Sequence, residues 1–283
     1  KNGLLDEALQ KDLEGLKLME ILKDQAGICN AMTRVSEDLT IQKRLKEALE
    51  YAEKAIAIAD KNNLSSEKFF VNFNAANVAM ASSKFEASFQ YYDNALNIAT
   101  AQNMGFPTLS DVTNGRGNAY KRLGKYEAAL KDYENCYHYA KVSNYQNAIN
   151  TAIGNLGEIN LLLGNYKAAL GYQLETVRLQ EVNNDSSNLV ENYDHVSTIY
   201  SKLGDFKSAL VYKQKAFHLR DSIASIESDA KMSEMLTKYE TKKKEATISS
   251  QATTISQQKL IKRLFIGLAI LLLGLLVFGY ISY

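Results

Sequence analysis

The chain has 283 residues, of which 46% are hydrophobic, with one proline and no tryptophan, and 33 Lys and Arg residues balance 32 Asp and Glu residues. This composition predicts an ordered, helix-compatible chain long enough for a sizeable core. The net charge of +1 excludes an overall attraction for nucleic acid or for strongly charged substrates. The chain opens without methionine and without the basic and then apolar order of a signal peptide, so we expect a processed protein or a fragment.

A short motif recurs along the chain and predicts a repeat protein. Three copies are closely similar: Gly124–Leu130, Gly164–Leu170 and Gly204–Leu210. Looser copies are headed by Leu5, Leu45 and Phe85, which correspond to Tyr126, Tyr166 and Phe206 of the close copies, so successive anchor residues lie 40 or 41 positions apart. Each copy opens an apolar stripe at the period of an α-helix, as in Leu45, Ala48, Leu49, Ala52, Ala55 and Ile56.

A second helix precedes each motif, which makes the unit helix, tight turn, helix. We expect these first helices over Ser110–Leu123 and Ala148–Leu163, ending at glycines that adopt the left-handed conformation without steric cost: Gly124, Gly164 and Gly204. Polar turns at 103–107, 144–147 and 183–187 separate the units. Because Leu5 already belongs to a second helix, the first repeat is incomplete, and we expect further repeat sequence upstream.

The pattern resembles the tetratricopeptide repeat over roughly Leu5–Arg220. The matching positions are Gly117, Gly157, Tyr120, Tyr200, Leu123, Gly124, Tyr126, Ala129 and Tyr133. Thr113, Ile153 and Tyr193 replace the family's tryptophan, its proline is missing, and the period exceeds the usual ~34 residues, which predicts longer helices. The resemblance implies an all-α, helical-hairpin solenoid with a period of about 40 residues as one domain, residues 1–220.

Two residue types inside the repeats have a functional and a packing interpretation. Tyrosines at helical spacing suggest a binding stripe, but packing within each repeat explains them better: Tyr91, Tyr92, Tyr133, Tyr137 and Tyr139. Cys29 and Cys136 fall in different units, too far apart for the ~5.5 Å Cα separation of a disulfide. We expect both cysteines to be buried packing residues.

Residues 221–263 are predicted to form a long polar helix next to a membrane. Met232, Tyr239, Ala246, Thr253 and Leu260 recur every seven residues, as on one side of a coiled-coil seam. This spacing favours a homodimer through 221–263. The alternatives are a solvated helix that pairs with nothing and a flexible break at Ser249–Gln251.

The last 20 residues, 264–283, carry no charge and are long enough to cross a hydrocarbon core of ~30 Å. They predict one transmembrane helix and a single-pass membrane protein. The expected membrane-interface residues are Lys259, Lys262, Arg263, Tyr280 and Tyr283. The basic flank alone favours cytoplasmic repeats.

The junction between repeats and apolar segment has a resemblance of its own. Residues 220–223 (RDSI) and 236–245 (LTKYETKKKE), followed by the apolar segment, look like the corresponding junction of bacterial tetratricopeptide-type sensor histidine kinases and membrane-bound transcriptional regulators. The resemblance implies periplasmic repeats, a signal relayed through the helix and the span, and a cytoplasmic output domain that is not in this chain.

Motifs for catalysis, cofactors and metals are missing from the sequence. It has no phosphate-binding glycine loop, no metal-spaced His/Cys cluster and no Ser/His/Asp set. His138, His195 and His218 lie on predicted repeat helices and lack a phosphoacceptor context, so we expect surface or packing roles. The chain is predicted to be neither an enzyme nor a binder of cofactor or metal, although its parent protein is expected to be a histidine kinase.

Recognition is expected on the inner face formed by the first helices. The family register places these exposed polar residues there: Asn77, Asn114, Asn118, Lys121, Arg122, Glu158 and Asp194. Asn and Lys can hydrogen-bond a peptide backbone or a terminal carboxylate, while the alternative is a merely solvated polar face. Phe73 replaces the lysine of the chaperone-binding subclass, which argues against a carboxylate clamp.

Two functions follow from these patterns. The leading hypothesis is a sensor module that binds a protein or peptide on the solenoid and belongs to a two-component signalling protein. The alternative is a tail-anchored adaptor that collects protein partners at a membrane. Neither predicts nucleic-acid binding through this chain.

Overall fold

The computed structural model of the protein describes residues 2–183 and 188–281. In these two ranges the chain forms eleven helices and no strand. The helices are α1 (Asn2–Leu22), α2 (Gln25–Ile41), α3 (Leu45–Lys61), α4 (Ser65–Ala81), α5 (Phe85–Ala101), α6 (Phe106–Arg122), α7 (Tyr126–Val142), α8 (Gln146–Leu162), α9 (Tyr166–Val182), α10 (Leu189–Lys202) and α11 (Phe206–Ile281). The predicted all-α class is confirmed.

A residue in the left-handed conformation closes nearly every helix. Gly124, Gly164 and Gly204 have φ of 70°, 77° and 84°, as their position in the motif predicts. The same conformation recurs about every 20 residues at Lys23, Lys43, Asn63, Ser83, Asn103 and Asn144. In each turn the next amide donates to the carbonyl five residues earlier, as from Lys125 N to Tyr120 O at 2.9 Å, which satisfies a free carbonyl of the helix end. Turns within and between units therefore share one geometry.

The helices pack as consecutive hairpins. In each repeat, a first helix (α2, α4, α6, α8) packs against the second helix that follows it (α3, α5, α7, α9), and each second helix packs on the next first helix. The first helices also contact one another, α2 with α4, α4 with α6 and α6 with α8. This arrangement confirms the tetratricopeptide-like solenoid and leaves the first helices on a shared face.

Small residues bring the two helices of a hairpin into close contact. Four alanines of α3 are fully buried: Ala48, Ala52, Ala55 and Ala59. The approach is so close that serine hydroxyls donate to backbone carbonyls of the partner helix, from Ser36 to Ala48 at 2.8 Å and from Ser88 to Ala76 at 2.9 Å. Burial of apolar surface at these crossings, at ~25 cal/mol per Å², supplies most of the stabilisation.

The helix boundaries differ from the predicted ones at the start of the first helices. α6 begins at Phe106 and α8 at Gln146, two to four residues before the predicted starts. Pro107 lies in the first turn of α6, where its missing N–H leaves no hydrogen bond unmade. The turn signals around 103–107 and 144–147 therefore extend into the helices.

The packing interpretation of the tyrosines and cysteines is confirmed at the buried positions. Tyr92 and Tyr133 are 3% and 0% exposed, whereas Tyr91, Tyr137 and Tyr139 are half-buried. Cys29 and Cys136 are buried and form no disulfide.

Contacts divide the chain into two units, Lys1–Phe217 and His218–Tyr283. The last helix, α11, is continuous from Phe206 to Ile281 and passes through Ser249–Gln251, so the alternative of a break there is excluded. From 218 to 249 its described side chains are mostly exposed. The domain boundaries at 220 and 263 remain predictions.

The predicted membrane span requires a correction. No helix in the part of the chain that the structure describes is both long enough and apolar enough to cross a bilayer. Residues 264–281 instead end the 76-residue helix α11, which also contains the polar, exposed stretch described above. This finding contradicts the transmembrane helix 264–283 and the single-pass membrane localisation.

The predicted membrane-interface role of the flanking residues depended on the transmembrane helix, so it is not supported either. Lys259 and Lys262 are exposed on α11. The side chains of Arg263 and Tyr280, and the whole of Tyr283, lie outside the described part of the chain.

Candidate protein-binding face

Three of the predicted binding residues come together between α6 and α8. Lys121 Nζ lies 2.7 Å from Glu158 Oε2, an ion pair between the two helices. Asn155 Nδ2 donates to Asn114 Oδ1 at 2.7 Å and joins the same helices two turns away. These half-buried polar links give the face of α6 and α8 a fixed pattern of donors and acceptors.

Two predicted residues act as acceptors for buried tyrosines. The hydroxyl of Tyr133 donates to Asn118 Oδ1 at 2.8 Å, and that of Tyr92 donates to Asn77 Oδ1. Gly117 is required opposite Tyr133, because a Cβ there would lie 2.8 Å from the ring. Asn77 and Asn118 therefore fix the packing of their own hairpins as well as facing outward.

Arg122 and Asp194 are the remaining predicted residues. Arg122 is exposed at the end of α6. Asp194 on α10 accepts from Lys213 Nζ at 2.9 Å, a contact with the first turns of α11. The structure thus joins Asn114, Lys121 and Glu158 through contacts between α6 and α8, while Asn77 and Asn118 bond to buried tyrosines and Asp194 pairs with Lys213.

A buried ion network joins two repeats and has no counterpart among the predicted residues. Arg116 on α6 donates two hydrogen bonds to the Asp132 carboxylate, both at 2.8 Å, and one to Asp93 at 2.6 Å. Asp132 is 2% exposed, so its charge depends on this bidentate contact. The two carboxylates in turn raise the pKa of Arg116. Charged residues of both signs occur throughout the repeats, so the sequence alone did not indicate that these three form a network.

The equivalent space in the next repeat is open. Gln173 stands on α9 where α5 has Tyr92 and α7 has Tyr133, and Glu158 stands where the earlier repeats have Asn77 and Asn118. A cavity of about 400 Å³ lies there, between α8, α9 and α10. We call it the Gln173 pocket; its lining includes Asn155, Glu158, Gln173, Thr176, Glu191 and His195. Aligning the repeats would have revealed the Tyr-to-Gln change, but not the cavity.

Two buried acceptors of this pocket are unused. Gln173 Oε1 and His195 Nδ1 have no hydrogen-bond partner in the part of the chain that the structure describes. Gln173 is 1% exposed, and an unpaired buried acceptor costs ~1–3 kcal/mol. Such atoms are uncommon in a folded protein and point to a missing donor.

Burial is the main cause of the raised pKa values of the buried cysteines and tyrosines. Burial raises the pKa of the Cys29 thiol to about 11 and raises that of Cys136, so both thiols are protonated at neutral pH. Burial also raises the pKa of Tyr92 and Tyr133. Within residues 2–183 and 188–281, no cluster of three His, Cys, Asp or Glu side chains is arranged to hold a metal ion.

Comparison with known proteins agrees with this architecture. Residues 114–142 match the family model described as the tetratricopeptide repeat. No curated protein is significantly similar to this chain. The matched segment is one repeat, and the fold as a whole is a tetratricopeptide-like helical solenoid.

Solved structures with the same fold share little sequence with this chain. BtubC (BKLC) from P. vanneervenii is 13% identical with a TM-score of 0.65, over 78% of this chain and 92% of that one. A Signal Transduction ATPase with Numerous Domains from Pyrococcus horikoshii, which has a tetratricopeptide repeat sensor, is 16% identical with a TM-score of 0.67, over 76% and 33%. YrrB, described as having an unusual peptide-binding site, is 15% identical with a TM-score of 0.53, over 72% and 91%.

These likenesses establish the fold alone. The resemblance of residues 220–245 to the junction of sensor histidine kinases is not confirmed by any of these comparisons.

Proposed function

We propose that the array binds a protein or peptide on its first-helix face and serves as the input module of a signalling protein. The observation that carries the binding role is the linked polar face of α6 and α8, where Asn114, Lys121 and Glu158 are held by contacts between helices. Side chains fixed in this way lose little further entropy when a partner binds, which favours recognition. The partner-binding set of Asn77, Asn114, Asn118, Lys121, Arg122, Glu158 and Asp194 is retained as part of this proposal.

The signalling role is supported by the contacts of α10. This helix holds the first turns of α11 through a bond from Ser197 Oγ to the Ala209 carbonyl at 2.7 Å and through the ion pair of Asp194 with Lys213. A partner that prefers one position of α10 shifts the equilibrium of α11 by its difference in affinity for the two positions. The tetratricopeptide repeat sensor named in the P. horikoshii neighbour supports such a role, and a histidine kinase as parent protein is what the junction resemblance implies.

A matched pair of variants tests the binding face. Peptides selected from a random library on the full chain are labelled, and their affinity is measured by fluorescence anisotropy. Asn114→Ala with Arg122→Ala should weaken binding about tenfold or more, whereas Glu127→Ala with Lys131→Ala, two exposed changes on α7, should leave it unchanged. Equal losses in both variants, or none in the first, would overturn the proposed face.

Hydrogen exchange with a bound peptide distinguishes the input module from the alternative, an adaptor that only collects protein partners. If a bound peptide changes hydrogen exchange in the first turns of α11, the array is an input module. If the peptide binds to the first helices and leaves α11 unchanged, the chain is an adaptor that only collects partners.

The predicted homodimer through 221–263 also belongs to the proposal. Met232 and Tyr239 are 60% and 66% exposed and lie one heptad apart on α11, as a coiled-coil seam requires. Ala246 is exposed one heptad further, while the side chains of Thr253 and Leu260 lie outside the described part. Met232→Lys with Tyr239→Lys should reduce the sedimenting mass to that of one chain. Thr237→Lys with Thr241→Lys, exposed and off the seam, should not.

A further inference from the structure

We propose that the Gln173 pocket receives an arginine side chain of the bound partner. This inference rests on the proposed function, since it assigns one chemical group of the partner to one part of the binding face. The pocket lies between α8, α9 and α10 and has a volume of about 400 Å³, enough to enclose a guanidinium and part of its stem.

The charge of the lining selects a cation. Among the described residues that line the pocket, Glu158 and Glu191 are carboxylates and none is Lys or Arg. Lys121 contacts one oxygen of Glu158, Oε2, from outside the pocket. The lining therefore contributes two carboxylates, of which Glu158 is already paired with Lys121, and neither Lys nor Arg.

The unused hydrogen-bonding atoms are acceptors. Gln173 Oε1 is buried without a donor. In the tautomer that carries its proton on Nε2, His195 presents Nδ1 as an acceptor, and Nδ1 is also buried without a partner among the described residues. In that tautomer, a ligand that donates hydrogen bonds satisfies both atoms.

The distribution of these acceptors favours guanidinium over ammonium. They belong to three helices: Glu158 to α8, Gln173 to α9, and Glu191 and His195 to α10. A guanidinium presents five N–H groups in a plane and can serve acceptors on several sides, whereas an ammonium has three donors on one atom.

The neighbouring repeats explain why the pocket exists at this place. In the two preceding hairpins a buried tyrosine occupies the equivalent position and bonds to an asparagine, so no donor is missing there. Gln173 lacks the ring and the hydroxyl donor, and Glu158 replaces the asparagine. The space and the charge both arise from these two residues.

The three histidines allow a direct test on the full chain. With ¹³C-labelled histidine, the imidazole signals of His138, His195 and His218 are followed by NMR, and the His195 signal is assigned by its loss in His195→Gln. Nα-acetyl-arginine N-methylamide should move the His195 signal saturably. The neutral isostere Nα-acetyl-citrulline N-methylamide should not, and the lysine analogue should bind more weakly.

Two variants and a control complete the experiment. Glu158→Gln with Glu191→Gln should weaken binding of the arginine probe at least about tenfold, and Gln173→Tyr, which restores the residue type of the earlier repeats, should abolish it. Glu127→Gln with Glu134→Gln removes two exposed carboxylates on α7 and should have no effect.

Equal binding of arginine and citrulline probes, or no saturable change at His195, overturns the pocket assignment. If selected peptides still bind the first-helix face in that case, only this inference fails. If neither peptides nor probe bind, the proposed function fails with it.

Discussion

The third and fourth complete hairpins of the array, α6 with α7 and α8 with α9, share one backbone plan and differ in the side chains that fill their interior. In α6–α7, Tyr133 is fully buried and donates to Asn118 at 2.8 Å. In α8–α9, Gln173 takes the same position, is 1% exposed, and leaves its Oε1 without a donor among the described residues. The comparison shows that a repeat can keep its helices and give up its internal hydrogen bond at one position.

The difference lies in side chains, because the turns of the two hairpins are the same. Gly124 and Gly164 have φ of 70° and 77°, and the residues after them donate to carbonyls five residues earlier at 2.9 and 2.8 Å. Gly117 and Gly157 each leave room for the side chain of the partner helix. A few glycines therefore recur in the backbone of both hairpins, while the side chain at the position of Tyr133 and Gln173 differs.

The comparison predicts that truncation to alanine lowers the free energy of unfolding by different amounts at Tyr133 and at Gln173. Tyr133→Ala should lower the free energy of unfolding by about 3–5 kcal/mol, because a fully buried ring and its hydrogen bond are lost. Gln173→Ala should cost about 1 kcal/mol or less, since it also removes an unpaired buried acceptor. Urea unfolding followed by circular dichroism measures both. Equal costs would show that the two hairpins are packed alike.

The ion network sharpens the comparison, since it stabilises only the α6–α7 side. Arg116→Ala leaves the Asp132 carboxylate buried and unpaired and should cost about 3 kcal/mol. Arg178→Ala on α9 removes an exposed partner of Glu175, so the urea midpoint should change very little. If Arg116→Ala lowered the free energy of unfolding by less than Arg178→Ala does, water would have to replace the guanidinium at Asp132.

The turns that lack glycine at the left-handed position can be made more stable by introducing it. Lys43 has φ of 63° at the position that Gly124 occupies in its own repeat. Lys43→Gly should stabilise the fold by about 1 kcal/mol because a Cβ is strained there, and Gly124→Ala should destabilise it by a similar amount. The paired shifts in melting temperature should have opposite signs. Shifts of the same sign would contradict the equivalence of the turns.

The smallest effect is expected from a carboxyl at the start of the array. Burial, followed by the nearby Asp12, raises the pKa of Asp38. A raised pKa means that Asp38 contributes most to stability below its unfolded value of ~3.9 and that this contribution is lost as the pH rises through the folded value. Asp38→Asn should therefore stabilise the protein at pH 7 and have little effect near pH 3.5. A pH-independent difference in urea midpoint would exclude this titration.

The sequence predicts the parts of the fold that depend on local chemistry. The apolar stripes and the three motif glycines were sufficient for the helices, their pairing and the left-handed turns. Lys43 and Ser83 were not recognised as left-handed, because side chains other than glycine and asparagine rarely adopt that conformation. The start of α6 was missed because Pro107 is a turn former and also a good first-turn helix residue.

The site was predictable only in part. Register placed Asn114, Lys121 and Glu158 on first helices, but their contacts with each other depend on the angle between α6 and α8. The Arg116 network joins residues 16 and 23 positions apart, on three helices, so no local spacing indicates it. The transmembrane helix was predicted from the length of an uncharged run alone, whereas no described helix meets the requirement for crossing a bilayer.

Hydrogen exchange of the full chain with and without a library-selected peptide tests the central claim most directly. If the first helices form the binding face, the peptide should slow exchange in α6, α8 and α10 and leave α7 unchanged. Protection confined to α7 or to residues 218–281 would contradict the account, because recognition would then lie outside the first-helix face.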